Sequence, residues 1–508
     1  MQTTLSDRQV YYFRVLCMVF LFAGAACYVA FTIHWQWMWD TQVMHYISFL
    51  IDHGKVPYKD IYDINMPGAY LTERWALAVF GGSDLGWRMY EYTLLGSMTA
   101  AMIVIAMPYD WLAGLFSGVL FSLLYGSLGP YQAAQRDEVM TVLIFVGYAL
   151  LFVAIRRRWP ALMLPFGLAL GIAILIKPTV LPFALALLLF PYFVLRRRGV
   201  SPWAYLLLAT AGFAIALGIL LLFLLPHHAL GPFLFILGKL VPYYSSLAHP
   251  TLWILVRRSL PRTVLVYASI AAVLAIASRH RATWEMWAIR MGFLFGAISY
   301  FVQRKGYDYH RIAYLCFGLL WAGLEFTTAL KDRGWRRNLG TAGLAVAVLV
   351  MVPFNARKVR RMQEKNTAAF VLEQDLMQLG GDRPGGLQSL QGKVQCLDLV
   401  GGCYSALFRL GLVQSTGFTG DLQFFGPDDG KVVPYYRKIF WDDLHADPPE
   451  TIILSNEWYQ SSIYSFDKLN TWPEFRDYLN SAYTLHSTQG VFTLYGYPMV
   501  YRVYVRKH

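Results

Sequence analysis

The feature that most constrains this chain is the recurrence of apolar runs near 20 residues, the length a helix needs to cross a hydrocarbon layer ~30 Å thick. The composition agrees. Of 508 residues, 56% are hydrophobic and only 15% charged, where a soluble domain carries about 25% charged residues. The chain reads as a polytopic α-helical membrane protein. The runs lie at 15–33, 85–107, 111–128, 139–155, 161–176, 180–195, 202–225, 263–278, 285–301, 312–330 and 339–354, about eleven spans.

Counting spans from a short polar start puts the N-terminus inside and the C-terminus outside. The basic clusters then supply a separate check, because Lys and Arg are retained in cytoplasmic loops. Arg156-Arg157-Arg158, Arg196-Arg197-Arg198, Arg279-His280-Arg281 and the run from Lys331 to Arg337 all fall on the inner side. Arg257, Arg258 and Arg262 fall outside and break the rule. These clusters account for much of the net charge of +13. No soluble segment interleaves a basic face with stacking aromatics, so nucleic acid is not an expected partner. The first run lacks a small-residue cleavage site and is read as a retained helix.

Two regions depart from the apolar pattern. A long outer loop, 34–84, begins with a Trp-rich exit and Asp40. Residues 41–53 read as an amphipathic helix with Val43, Ile47 and Leu50 on one face, suited to the interface plane, and Gly54 ends it. From about 355 the chain becomes soluble. Strand-like segments at 394–400, 412–416, 451–455, 484–487 and 500–505 alternate with helical ones, which predicts an outer α/β domain at 355–508 behind a membrane domain at 1–354. Cys17, Cys27 and Cys316 lie in apolar runs. Cys396 and Cys403 lie in the tail and can pair if it faces an oxidising compartment. No Cys/His spacing suggests zinc.

On this topology the unusual polar residues share the outer face: Asp40; Arg136, Asp137 and Glu138; Lys177; Arg304, Lys305, Asp308, Tyr309 and His310. Each has a plain structural reading. Lys177 can snorkel, Arg136 and Asp137 can pair, and Asp40 can cap the helix that follows it. Together they suit one chemistry. A carboxylate can take a proton from an acceptor hydroxyl, and cations can hold a phosphate and stabilise the charge that develops as it leaves.

These residues resemble the GT-C glycosyltransferases, and more closely the bacterial branch related to protein O-mannosyltransferases and aminoarabinose transferases. The resemblance rests on Asp40 followed by Gly54, Pro57, Tyr58, Asp60, Tyr62, Asp63 and Pro67. Gln135-Arg136-Asp137-Glu138 is similar to that family's second acidic loop, Lys177 to its basic span end, and Lys305-Gly306-Tyr307 with Tyr309-His310 to its late outer motif. The chain departs from many relatives in one respect: Thr41 follows Asp40 where they place a Glu.

The resemblance implies a GT-C fold in a bacterial inner membrane, with the site and tail on the periplasmic side. It implies a polyprenyl-phosphate-sugar donor and a single inverting displacement with Asp40 as base. Lys177, Arg136, Arg304, Lys305 and His310 become expected phosphate ligands, and Asp137 and Glu138 the second acidic loop. Tyr58, Asp63, Tyr243 and Tyr309 become expected sugar or acceptor contacts. The donor already carries a monophosphate, so no metal or other cofactor is required, although a divalent cation is possible because some relatives bind one. The acceptor is a glycan, lipid or protein of the envelope, and membrane lipids surround the spans. The alternatives are a lipid-linked sugar transporter or flippase, or an envelope assembly protein without catalysis. A transporter is expected to carry charges at mid-membrane and matching halves. Here the charges gather at one face.

Overall fold

The computed structural model describes residues 6–247, 249–276, 278, 283–363, 365–459, 464–492 and 498–507; Arg279-His280-Arg281 lies outside them. The helices, in chain order, are α1 (Asp7–Thr32), α2 (Asp40–Asp52), α3 (Pro67–Phe80), α4 (Asp84–Ala106), α5 (Trp111–Gly126), α6 (Arg136–Arg157), α7 (Met163–Ile176), α8 (Leu181–Arg197), α9 (Trp203–Leu224), α10 (Leu230–Phe235), α11 (Val241–Ser246), α12 (Leu252–Ser259), α13 (Arg262–Ile276), α14 (Trp284–Gln303), α15 (Ile312–Ala329), α16 (Trp335–Val346), α17 (Val352–Arg361), α18 (Thr367–Gly381), α19 (Gly402–Leu410), α20 (Leu422–Phe425), α21 (Val432–Ala446) and α22 (Pro473–Ala482). Every apolar run contains a helix. Among the described residues, 7 helices are long and apolar enough to cross a membrane, or 8 if the bent pair α12–α13 is one span. The remaining apolar runs form helices that fall short of that measure.

The chain divides into two compact units. The first comprises Met1–Trp35, Ser83–Leu220 and His249–Gln363. Its helices pack closely where small residues replace side chains. A Cβ on Gly114 would lie 2.4 Å from Ile103 Cα, and one on Gly118 would lie 2.3 Å from the Thr99 hydroxyl, so α4 and α5 touch almost backbone to backbone. Buried charge is paired. Arg88 meets Glu91, whose carboxylate also accepts the Tyr28 hydroxyl at 3.0 Å. Asp110 caps α5 through the Leu112 amide and takes both Arg14 nitrogens at 2.5 and 2.8 Å. An apolar cavity of about 210 Å³ opens among α13, α14 and α15, lined by Leu260, Tyr267, Phe293, Tyr314 and Trp321.

The second unit comprises Gln36–Gly82, Leu221–Ala248 and Glu364–His508, so the first outer loop clusters with the tail. Its sheet has the order β1-β2-β4-β3, from β1 (Val394–Leu397), β2 (Thr451–Ser455), β3 (Tyr483–Phe492) and β4 (Pro498–Arg506). The β1–β2 pair is parallel, with Leu397 opposite Leu454; the other pairs are antiparallel. The expected strand at 412–416 is instead a loop tied by single contacts. The Ser415 amide donates to the Val394 carbonyl, and Gln395 Oε1 accepts from the Thr416 amide and hydroxyl. A disulfide joins Cys396 to Cys403.

The α2 helix differs from its expectation. It buries Ile47 and Leu50 as foreseen, but also Met44, Tyr46 and Ser48. Tyr46 stacks on Tyr404 at 5.5 Å, and its hydroxyl donates to the Leu412 carbonyl and accepts the Gln414 amide. The helix is a core element of this unit, because its polar positions find partners in the tail that the local sequence does not reveal.

Candidate functional site

The expected site residues form two groups, one in each unit. In the second unit Asp40 opens α2. The cap is Trp39, in the unfavourable conformation φ 53°, ψ −124°, with no side-chain cap bond. A bulky residue at positive φ is costly and persists only where its surroundings impose it. Asp40 is half-buried in the first turn, where backbone N–H groups favour a carboxylate. Behind it, His45 bonds Glu73 at 2.6 Å and stacks on Trp37 at 4.7 Å, and Arg409 lies over Trp37 at 5.0 Å.

The motif that follows Asp40 builds a loop. Tyr58, also at positive φ (69°), is 2% exposed and donates its hydroxyl to the Asn65 carbonyl. Asp60 accepts the Val56 amide. Asp63 accepts the Asn65 amide and the Tyr70 hydroxyl at 2.8 and 2.7 Å. The Tyr62 amide donates to the Gly417 carbonyl, and a Cβ on Gly417 would sit 2.2 Å from the Asp60 carbonyl oxygen. Tyr243 donates to the Pro427 carbonyl at 3.0 Å. Tyr58, Asp63 and Tyr243 therefore already make internal hydrogen bonds.

In the first unit the cations converge. Lys177 caps the end of α7 in extended conformation and sends Nζ to both Asp137 oxygens at 2.6 and 2.8 Å. The same Nζ lies 5.9 Å from the Tyr309 ring centroid. His310, 8% exposed, lies edge-on to Tyr309 at 4.7 Å and feels the charges of Lys177, Arg136 and Lys305. Burial lowers Lys305 to about 8. Arg304 is the exposed, left-handed end of α14. Glu138 is fully buried, where it accepts the Tyr125 hydroxyl at 2.5 Å and the Ala134 amide at 2.9 Å; Ala134 has φ 52°. These bonds tie it to the turn that precedes Arg136 and Asp137. Arg311, which the sequence did not single out, holds the neighbouring loop through Asp308 at 2.5 Å and the Arg258 carbonyl at 2.7 Å. An Arg three residues after an Asp was its one sequence signal.

Among the described residues no group of three or more His, Cys, Asp or Glu is arranged to hold a metal ion. Chemically, the second unit offers a carboxylate on a strained helix start. The first offers a cluster of cations and aromatic rings of the kind that can meet an anion.

No family model matches the chain, and none of the curated proteins matches it in sequence. Two of the solved structures that it resembles match it over nearly its whole length. Both are ArnT from Cupriavidus metallidurans. The form bound to undecaprenyl phosphate has a TM-score of 0.58 at 11% identity, covering 96% of this chain and 97% of that one. The apo form has a TM-score of 0.56 at 14% identity with the same coverage. The likeness establishes the fold: a helical membrane protein of GT-C type with a small C-terminal sheet.

Proposed function

We propose that the chain is a membrane glycosyltransferase that moves a sugar from a polyprenyl-phosphate donor to an envelope glycan, lipid or protein on the outer face of the membrane. The observation that carries this reading is the full-length likeness to a protein whose structure holds undecaprenyl phosphate. The grouping of Lys177, Arg136, Lys305 and His310 supports it, since a lipid phosphate needs several cations. The apolar cavity among α13, α14 and α15 is suited to a prenyl chain. The Cys396–Cys403 bridge favours an oxidising compartment for the tail, and so the outer side.

In this reading the membrane part, 1–354, binds the donor and the tail, 355–508, faces the periplasm. Asp40 takes the proton of the acceptor hydroxyl. The acceptor oxygen bonds to the anomeric carbon from the face opposite the phosphate, and the carbon–oxygen bond to the phosphate breaks with its electron pair left on the phosphate. The configuration inverts. The cation group meets the charge that develops on the leaving oxygen.

The test is transfer from polyprenyl-phosphate sugars to membrane extract by the purified chain in nanodiscs. Asp40→Asn is expected to lower kcat about 100-fold or more, as loss of a general base does. Equal transfer by both proteins would overturn the role given to Asp40.

A further inference from the structure

The tail places a second carboxyl at the end of the sheet whose neighbouring loop rests on the turn that carries Asp40. The strands β1 and β2 are parallel neighbours, so the chain leaves both at the same end of the sheet. The loop after β1 is pinned by Asp398, which accepts the Val400 and Cys403 amides at 2.9 and 3.0 Å and the Tyr501 hydroxyl at 3.2 Å. That loop rests on the Asp40 turn. A Cβ on Gly401, at φ 96°, would stand 2.9 Å from Gln42 Cβ and 3.1 Å from the Trp39 carbonyl oxygen, so only glycine fits.

Glu457 lies two residues beyond the end of β2. Its surroundings are fixed. Lys468, fully buried, pairs with buried Asp421 at 2.5 Å and donates to the Glu457 carbonyl at 2.8 Å. The next residue, Trp458, is tied through its indole to the Phe425 carbonyl at 2.8 Å. The backbone on either side is thus held, yet Glu457 Oε2 is closed off from solvent and has no hydrogen-bond partner among the described residues. A buried carboxyl oxygen left without a partner is costly unless a ligand supplies one.

We infer that Glu457 is the second carboxyl of the Asp40 centre, and that its Oε2 hydrogen-bonds a hydroxyl of the transferred sugar or of the acceptor. This rests on the sugar-transfer reading for Asp40. The charged groups that bear on Glu457 come from four segments: Asp398 after β1, Asp421 before α20, Lys468 before α22, and Asp40 on α2. Burial, then Asp398 and Asp421, push it up to about 8, against Lys468, and Asp40 adds to the rise. At neutral pH it is therefore a neutral acid, able to donate to a hydroxyl oxygen while Asp40 serves as the base. The carboxyl is recruited from a segment more than 400 positions away in the chain, which explains how a site with Thr41 beside Asp40 still presents two acids.

The test uses the full chain in nanodiscs and has two arms. Infrared titration of wild type is expected to contain a protonated-carboxyl band that disappears with a midpoint near pH 8, is absent in Glu457→Gln, and moves to lower pH in Asp40→Asn. If the band is missing, or its midpoint is the same in Asp40→Asn, the pairing of the two acids is overturned, whatever reaction the protein catalyses. In the kinetic arm, Glu457→Ala is expected to lower kcat/KM about 10-fold or more, the cost of one ligand hydrogen bond, with Glu457→Gln recovering part of the loss. A rise confined to the donor KM assigns the hydroxyl to the sugar, and one confined to the acceptor KM assigns it to the acceptor. Unchanged kinetics in Glu457→Ala would overturn the ligand contact. If the infrared coupling holds while wild type transfers no sugar, it is the glycosyltransferase reading that falls, and the acid pair stands.

Discussion

The loop that follows Asp40 and the cation group of the first unit make an instructive contrast. The loop is dense in motif residues, with Gly54, Pro57, Tyr58, Asp60, Tyr62, Asp63 and Pro67 inside 14 positions. Its polar side chains nevertheless bond to the loop itself. The cation group draws on Arg136, Lys177, Lys305 and His310, scattered over 175 positions, and brings them to one place. A compact motif can thus be a folding device, while a dispersed set is gathered only by the fold. A loop of irregular backbone needs local acceptors for its own amides, whereas a ligand site is assembled from the ends of several rigid elements.

Three measurements bear on this contrast, in decreasing order of expected effect on donor binding. Lys177→Met should weaken donor binding about 100-fold, the size of a lost charge-assisted contact, and should lower stability by about 2 kcal/mol, between the values for exposed and buried pairs. Adding Asp137→Leu removes the carboxylate left without its partner. Melting should then recover while donor binding stays weak. Recovery of both would reduce Lys177 to a structural ion pair.

The second concerns Lys305. Its ammonium loses a proton as pH rises through about 8, so the positive charge is present at neutral pH and lost above that value. Donor KM should rise about 10-fold between pH 7 and 9, the scale of one lost cation contact. Lys305→Arg, which stays charged over this range, should hold KM level. An identical rise in the Arg variant would remove Lys305 from the phosphate group.

The smallest effect is expected in the loop. Asp63→Ala should lower the melting temperature, at a cost of about 1–2 kcal/mol for two accepted hydrogen bonds, and leave both KM values near wild type in the folded fraction. A selective rise in the acceptor KM would instead return Asp63 to a ligand-binding role.

Much of the architecture was legible in advance. The apolar runs announced their helices because length and apolarity are local properties. Gly54 closed α2, with φ 82°. The tail segments 394–400, 451–455, 484–487 and 500–505 all contain strands. Less was legible where partners are remote. The stretch after the last apolar run forms two helices, α17 and α18, because the Asn366 side chain caps a fresh start by accepting the Ala369 amide. The segment 412–416 has the composition of a strand but spends its amides on Tyr46, Val394 and Gln395. Glu138 is expected from the resemblance to belong, with Asp137, to the second acidic loop. Its direction was decided by Tyr125 and by the turn at Ala134.

By itself, then, the sequence determined that this is a membrane protein of many helices with a small α/β tail, since backbone in lipid has to satisfy its own hydrogen bonds and only long apolar helical runs do so here. It also marked Asp40 as the first carboxylate beyond the first span. Tertiary structure alone decided which charges meet. Lys177 finds Asp137 at a separation of 40 residues, and Glu457 comes under the field of Asp40 through a sheet edge, a glycine and a buried Lys468–Asp421 pair. Electrostatic partnership depends on distance and burial in space, and neither is written in the order of the residues.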